Sequence, residues 1–131
     1  MAHNGEVSAK SKSNEFVSVR VDEADVIRLK WTEGIVIDET AARTAWHWVN
    51  ELSPDKRRPM VVDMAETKSV TRRARAVFLD PGAANLIALL GRSPVDRVVA
   101  NFVLGATNLP VKTRFFTSEQ AAVDWIAANR T

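Results

Sequence analysis

The sequence predicts one α/β domain: a mostly parallel sheet with an antiparallel N-terminal hairpin and crossover helices. Short apolar runs of strand length alternate along the chain with stretches whose apolar residues recur at helical spacing. The helical stretches open on cap chemistry, and turn residues separate them from the runs. A length of 131 residues without an internal repeat fits a single core, large enough to dispense with staples.

Residues 1–14 are small and polar with scattered charge and no periodicity, which reads as a disordered leader ahead of a domain at 15–131. Val17, Val19 and Val21 alternate with Phe16, Ser18 and Arg20 as in a half-buried strand. Residues 22–25 form a turn into a second strand carrying Val26, Ile27, Leu29 and Trp31, and Thr32, Glu33 and Gly34 end it. Asp38 caps a helix whose apolar face is Ala41, Ala45, Trp48, Val49 and Leu52, leaving Trp46 for an interface. Residues 60–64 are largely apolar and read as a strand covered on both faces. Thr71 caps a short helix with Ala74, Val77 and Phe78 inward and Arg72, Arg73 and Arg75 outward. Residues 86–90 are a strand, because Ser93, Pro94 and Asp96 then start a helix of their own, with Val95, Val98, Val99, Phe102 and Val103 on its apolar face. Residues 111–116 form the last strand. The final helix, opened by residues 117–120, carries Ala122, Trp125 and Ile126.

Composition narrows the function classes. The chain has no cysteine and only two histidines, His3 and His47, so disulfides are excluded and no Cys/His zinc set exists. A net charge of +2 over the whole domain gives little counterion release, which argues against a nucleic-acid partner. The start lacks a secretory apolar core and no apolar run approaches bilayer length, so a cytoplasmic protein without a membrane span is expected. His47 lies off the apolar helix face without a paired nucleophile, and no phosphate-cradling glycine loop or Gly-x-Ser-x-Gly occurs. The expectation is therefore a protein that is not an enzyme and carries no cofactor or metal.

The best candidate surface is the segment after the 60–64 strand, because ligands and partners of open α/β sheets meet the loops at the strands' carboxyl ends. Asp63, Glu66, Lys68, Ser69, Thr71, Arg72 and Arg75 fall within thirteen residues there. Helix amides at Thr71 favour an anion; a merely capped and solvated helix is the alternative. Lys56, Arg57 and Arg58 precede the same strand and so fall at the opposite end of the sheet.

Four features taken together carry a resemblance. They are the strand Pro59-Met60-Val61-Val62-Asp63-Met64, the segment Ser69-Val70-Thr71-Arg72-Arg73-Ala74-Arg75, the helix start Ser93-Pro94-Val95, and the ending Thr113-Arg114-Phe115-Phe116 with Ala122, Trp125 and Ile126. Over residues 15–129 the chain resembles the STAS-type, SpoIIAA-like fold of anti-anti-sigma factors, and a group of small bacterial proteins sharing STAS and CRAL-TRIO features. In anti-anti-sigma factors an Asp-Ser-Ser-Gly-like turn after that strand presents a Ser for phosphorylation. Here the turn reads Val70-Thr71-Arg72-Arg73-Ala74, with hydroxyls only at Thr71 and nearby Ser69. The resemblance implies a regulatory or protein-interaction module without the usual phosphorylatable Ser. Its CRAL-TRIO side implies, as the alternative, a carrier or sensor of a small apolar ligand. Homodimerisation stays open.

Overall fold

The computed structural model describes residues 11–64, 66–80, 82–105 and 111–130. Among these residues, eight strands and four helices follow in the order β1 (Ser11–Ser13), β2 (Val17–Val21), β3 (Ile27–Trp31), β4 (Val36–Ile37), α1 (Glu39–Leu52), β5 (Arg58–Asp63), β6 (Ser69–Val70), α2 (Arg72–Val77), β7 (Ala84–Leu90), α3 (Pro94–Leu104), β8 (Thr113–Phe116) and α4 (Glu119–Asn129). The main sheet runs β1-β2-β3-β5-β7-β8. Its first two pairings are antiparallel and the other three parallel, so the expected α/β architecture with an N-terminal hairpin is the one observed.

Side-chain alternation divides the central strands between two cores. Met60 and Val62 of β5, with Ile87 and Leu89 of β7, join buried residues of α1, α2 and α3. Val61, Leu86, Ala88 and Leu90 pack instead with Ala122 and Ile126 of α4. Both faces of β5 and β7 are thus covered, which explains their nearly unbroken apolar sequence.

The structure corrects the sequence reading at several points. Residues 1–10 of the expected leader lie outside the described residues, but Ser11, Lys12 and Ser13 pair with Arg20, Val19 and Ser18. Three polar residues at a sheet edge carry too little pattern to announce a strand. Residues 36 and 37, assigned to no element from the sequence, form β4, which pairs in parallel with β6 in a separate small sheet.

On α1 the buried residues are Ala41, Ala42, Ala45, Trp46 and Val49. Trp46, expected at an interface, is 8% exposed, while Trp48 is half-buried. The indole of Trp46 packs on Phe78 at 5.0 Å between ring centroids and donates from Nε1 to the Asp80 carbonyl at 2.5 Å. Partners contributed by the turn that follows α2 thus decide which tryptophan turns inward.

On α3 the buried residues are Asp96, Val99 and Ala100, while Val95 and Val98 are 50% and 68% exposed. The helix is rotated from the expected apolar face because Asp96 is claimed by backbone donors of two loops. Val99 and Val103 satisfy either phase, so periodicity alone could not separate them.

Candidate functional site

The carboxyl ends of β5 and β7 are held together through Asp96. The Ser93 hydroxyl caps α3 by accepting from the Asp96 amide at 3.1 Å, and Pro94 occupies the first turn. The Asp96 carboxylate is fully buried, and its Oδ2 accepts from the amide of Arg92 at 2.9 Å and that of Glu66 at 3.3 Å. One side chain thereby joins the β5–β6 loop to the β7–α3 turn. The other oxygen, Oδ1, is buried without a hydrogen-bond partner among the described residues. Gly91 permits the approach, since a Cβ there would lie 2.7 Å from both Asp96 Cβ and Phe115 Cε1.

The sequence-predicted site residues fall into two groups around this clamp. Asp63 ends β5 opposite Leu90 of β7, and its Oδ2 accepts from the Arg92 guanidinium at 3.1 Å. Glu66 is exposed at φ 57°, and its carbonyl accepts from Gly34 at 3.2 Å. Next to it Thr67 is buried, its hydroxyl donating to the Met64 carbonyl. The second group begins with Ser69, exposed in β6 and paired with Val36. The Thr71 hydroxyl accepts from the Ala74 amide at 3.1 Å and so caps α2 as expected. Arg72 is exposed in the first turn.

Arg75 departs from its expected outward position. It is half-buried, with its guanidinium carbon 4.7 Å from the Phe102 ring centroid, and its Nε is buried without a hydrogen-bond partner among the described residues. A three-arginine helix reads as wholly solvated until an aromatic from a distant segment covers one member. Asp96, Arg92 and the exposed Val95 and Val98 were absent from the sequence-derived site. Only Asp96 had a signal, its position three residues after Ser93.

Behind α2 and α3 lies an apolar cavity of about 60 Å³, bordered by Trp31, Trp46, Met64, Phe78, Val99 and Val103 among others. His47 is exposed, 3.5 Å from Glu51. Among the described residues no group of three or more His, Asp or Glu side chains is placed to hold a metal ion, and no helix is long and apolar enough to cross a membrane.

Lys56 and Arg58 lie elsewhere. Arg58 Nε donates to Asp25 at 2.8 Å, Arg58 Nη1 to Asp55 at 2.8 Å, and Lys56 pairs with Asp25 at 2.6 Å. The hydrogen bonds from Lys56 and Arg58 lower the Asp25 carboxyl from its ordinary 3.8 to about 2.

This architecture has a solved counterpart. An uncharacterised protein of the DUF3478 family from Shewanella loihica PV-4, described as having a SpoIIAA-like fold, aligns over 88% of this chain and 98% of its own with a TM-score of 0.58 at 15% identity. A protein with unknown function from Arthrobacter sp. FB24 is 49% identical, with 85% of this chain and 92% of that chain covered and a TM-score of 0.35. No curated protein matches. The sheet order and helix placement described above are therefore those of a SpoIIAA-like fold, and by the match of residues 20–129 the chain belongs to the family described as Domain of unknown function (DUF7793).

Proposed function

We propose that this protein is a non-enzymatic regulatory module of the cytoplasm, a STAS-like domain over residues 15–131. It binds another protein through the loop and helix after β5, at Asp63, Glu66, Ser69, Thr71, Arg72 and Arg75. The carrying observation is the charge state of α2. Arg72 is exposed with no ion pair to a described carboxylate, and it stands on a backbone already fixed by the Thr71 cap and the β4–β6 pairing. A cation held on a rigid element and left uncompensated suits recognition of an acidic group on a partner. Thr71 spends its hydroxyl on the cap, which supports recognition that does not depend on phosphorylation there.

The test is capture from the native host with Arg72→Glu beside the unaltered protein. The variant's stability should stay within about 0.5 kcal/mol, as expected of an exposed side chain, while the captured partner falls at least tenfold. Unchanged capture would remove this surface from consideration. A stoichiometric phosphate on Thr71 or Ser69, seen in the intact mass of protein from its own cells, would reinstate a phosphoswitch.

The cavity behind α2 and α3 favours a second reading, binding of a small apolar ligand. Its 60 Å³ falls well short of the roughly 300 Å³ that drug-sized ligands occupy. Only a group of a few carbon atoms fits it, which weighs against a lipid carrier.

A further inference from the structure

We propose that α2 and α3 together form a docking surface for an acidic amphipathic helix of another protein. This deepens the interaction reading, on which it rests, by naming the chemistry of the partner.

The first observation is an apolar stripe on α3 that the core does not use. Val95, Val98 and Phe102 are three and four residues apart and therefore lie along one side of the helix. Val95 and Val98 are 50% and 68% exposed, and Phe102 is half-buried. Of the residues the core takes, Val99 adjoins the stripe, while Asp96 and Ala100 lie roughly a quarter turn or more away. Two β-branched residues are thus left exposed at helical spacing, and such patches mark interaction sites more often than isolated exposed side chains do.

Charge is the second, independent observation. Within α2 and α3 the cations are Arg72, Arg73, Arg75 and Arg97, and the one acidic residue, Asp96, is fully buried. The two helices consequently present no carboxylate to solvent. Arg73 reaches Glu39 at 3.7 Å. Arg97 lies over the Phe115 ring at 4.8 Å, away from the stripe. Arg72 and Arg75 have no ion pair to a described carboxylate, in contrast with Arg58, which has two such partners. Arg75 joins the two observations, because its guanidinium lies on the Phe102 ring at the end of the stripe, beside Gly105.

An apolar stripe that ends at Arg75, with Arg72 one turn away on α2 and neither ion-paired to a described carboxylate, selects its occupant by complementarity. A helix with apolar residues at i, i+3, i+4 and i+7 can lay them along Val95, Val98 and Phe102 while its glutamates or aspartates meet the arginines. A basic or neutral helix would gain the same apolar contact and lose the charge pairing. A second copy of this chain would bring arginines against arginines.

The experiment uses the full chain and two fluorescently labelled synthetic helical peptides with identical leucines at i, i+3, i+4 and i+7. One has glutamates at its remaining charged positions and the other lysines. Fluorescence anisotropy should show the glutamate peptide binding at least tenfold more tightly than the lysine peptide. Added salt should weaken that binding, and Val98→Asp should reduce it at least tenfold. Val98 is largely exposed, so the variant is expected to fold, and an unchanged circular dichroism melt verifies this. Equal binding of the two peptides, or binding indifferent to Val98→Asp in folded protein, would overturn the proposal. So would a dimer of the chain dissolved by Val98→Asp, which would make the occupant a second copy. If host capture is lost with Arg72→Glu yet unaffected by Val98→Asp, the interaction reading survives and the stripe does not. Loss in neither variant defeats both.

Discussion

Two regions of the molecule, the amino ends of the parallel strands and the helix α2, treat arginine in opposite ways. At the amino ends of the parallel strands, Lys56 and Arg58 are engaged with Asp25 and Asp55, and the Arg58 side chain is only 12% exposed. On the α2–α3 side, Arg72 and Arg75 have no ion pair to a described carboxylate, and Arg75 lies against Phe102 at the end of an exposed apolar stripe. The residue type is the same, and in sequence the runs 56–58 and 72–75 look alike. What separates them is the supply of acid. Asp25 sits in the β2–β3 turn at φ 66°, where it meets cations more than thirty residues further along the chain. Charges of the first kind are consumed by the fold, whereas charges of the second kind remain available to something outside it.

The largest effect is expected where the carboxyl-end loops are joined. Asp96→Ala removes the acceptor for the Arg92 and Glu66 amides and should destabilise the protein by about 2–3 kcal/mol, read from urea unfolding. A loss below about 0.5 kcal/mol would mean that the loops hold their positions without the clamp.

Thr71→Ala should cost about 1 kcal/mol through the lost cap. Urea unfolding of this variant, with Arg72→Glu near zero beside it, separates the structural residue of α2 from the proposed contact residue.

The amino-end cluster should reveal itself in acid. Asp25 has a lowered carboxyl, so its contribution to stability is present above its ordinary value of 3.8 and is lost as pH falls toward about 2. Asp25→Asn should flatten that part of the stability profile between about pH 4 and 2, measured as Tm against pH. Arg72→Glu should not remove it. An unaltered acid limb in Asp25→Asn would show that the ion pairs add nothing measurable, as exposed pairs sometimes do.

Much of the fold was legible because its strands and caps are local signals. β7 was separable from a helix because the Ser93-Pro94 start that follows it declares an element of its own. Asp38, Thr71, Ser93 and Ser118 all cap as their side-chain chemistry dictates. What escaped was whatever depends on a distant partner. Trp46 is inward because Phe78 and Asp80 receive it, and α3 is rotated because the Arg92 and Glu66 amides claim Asp96. The candidate site was half legible for the same reason. Thr71 and Arg72 follow from the cap, but the burial of Arg75 requires Phe102 and the exposure of Val98 requires Asp96.

The small β4–β6 sheet has a kinetic consequence. Lys68 donates to the Ile35 carbonyl at 2.8 Å and Thr71 to the Ile37 carbonyl at 3.0 Å, so the backbone entering α1 and the backbone entering α2 are laced together. Neither helix start can open to solvent while the other stays closed. The amides of Gly34, Lys68 and Thr71 should then exchange hydrogen in one concerted event, which makes the platform beneath Arg72 a cooperative unit spanning two distant stretches of chain.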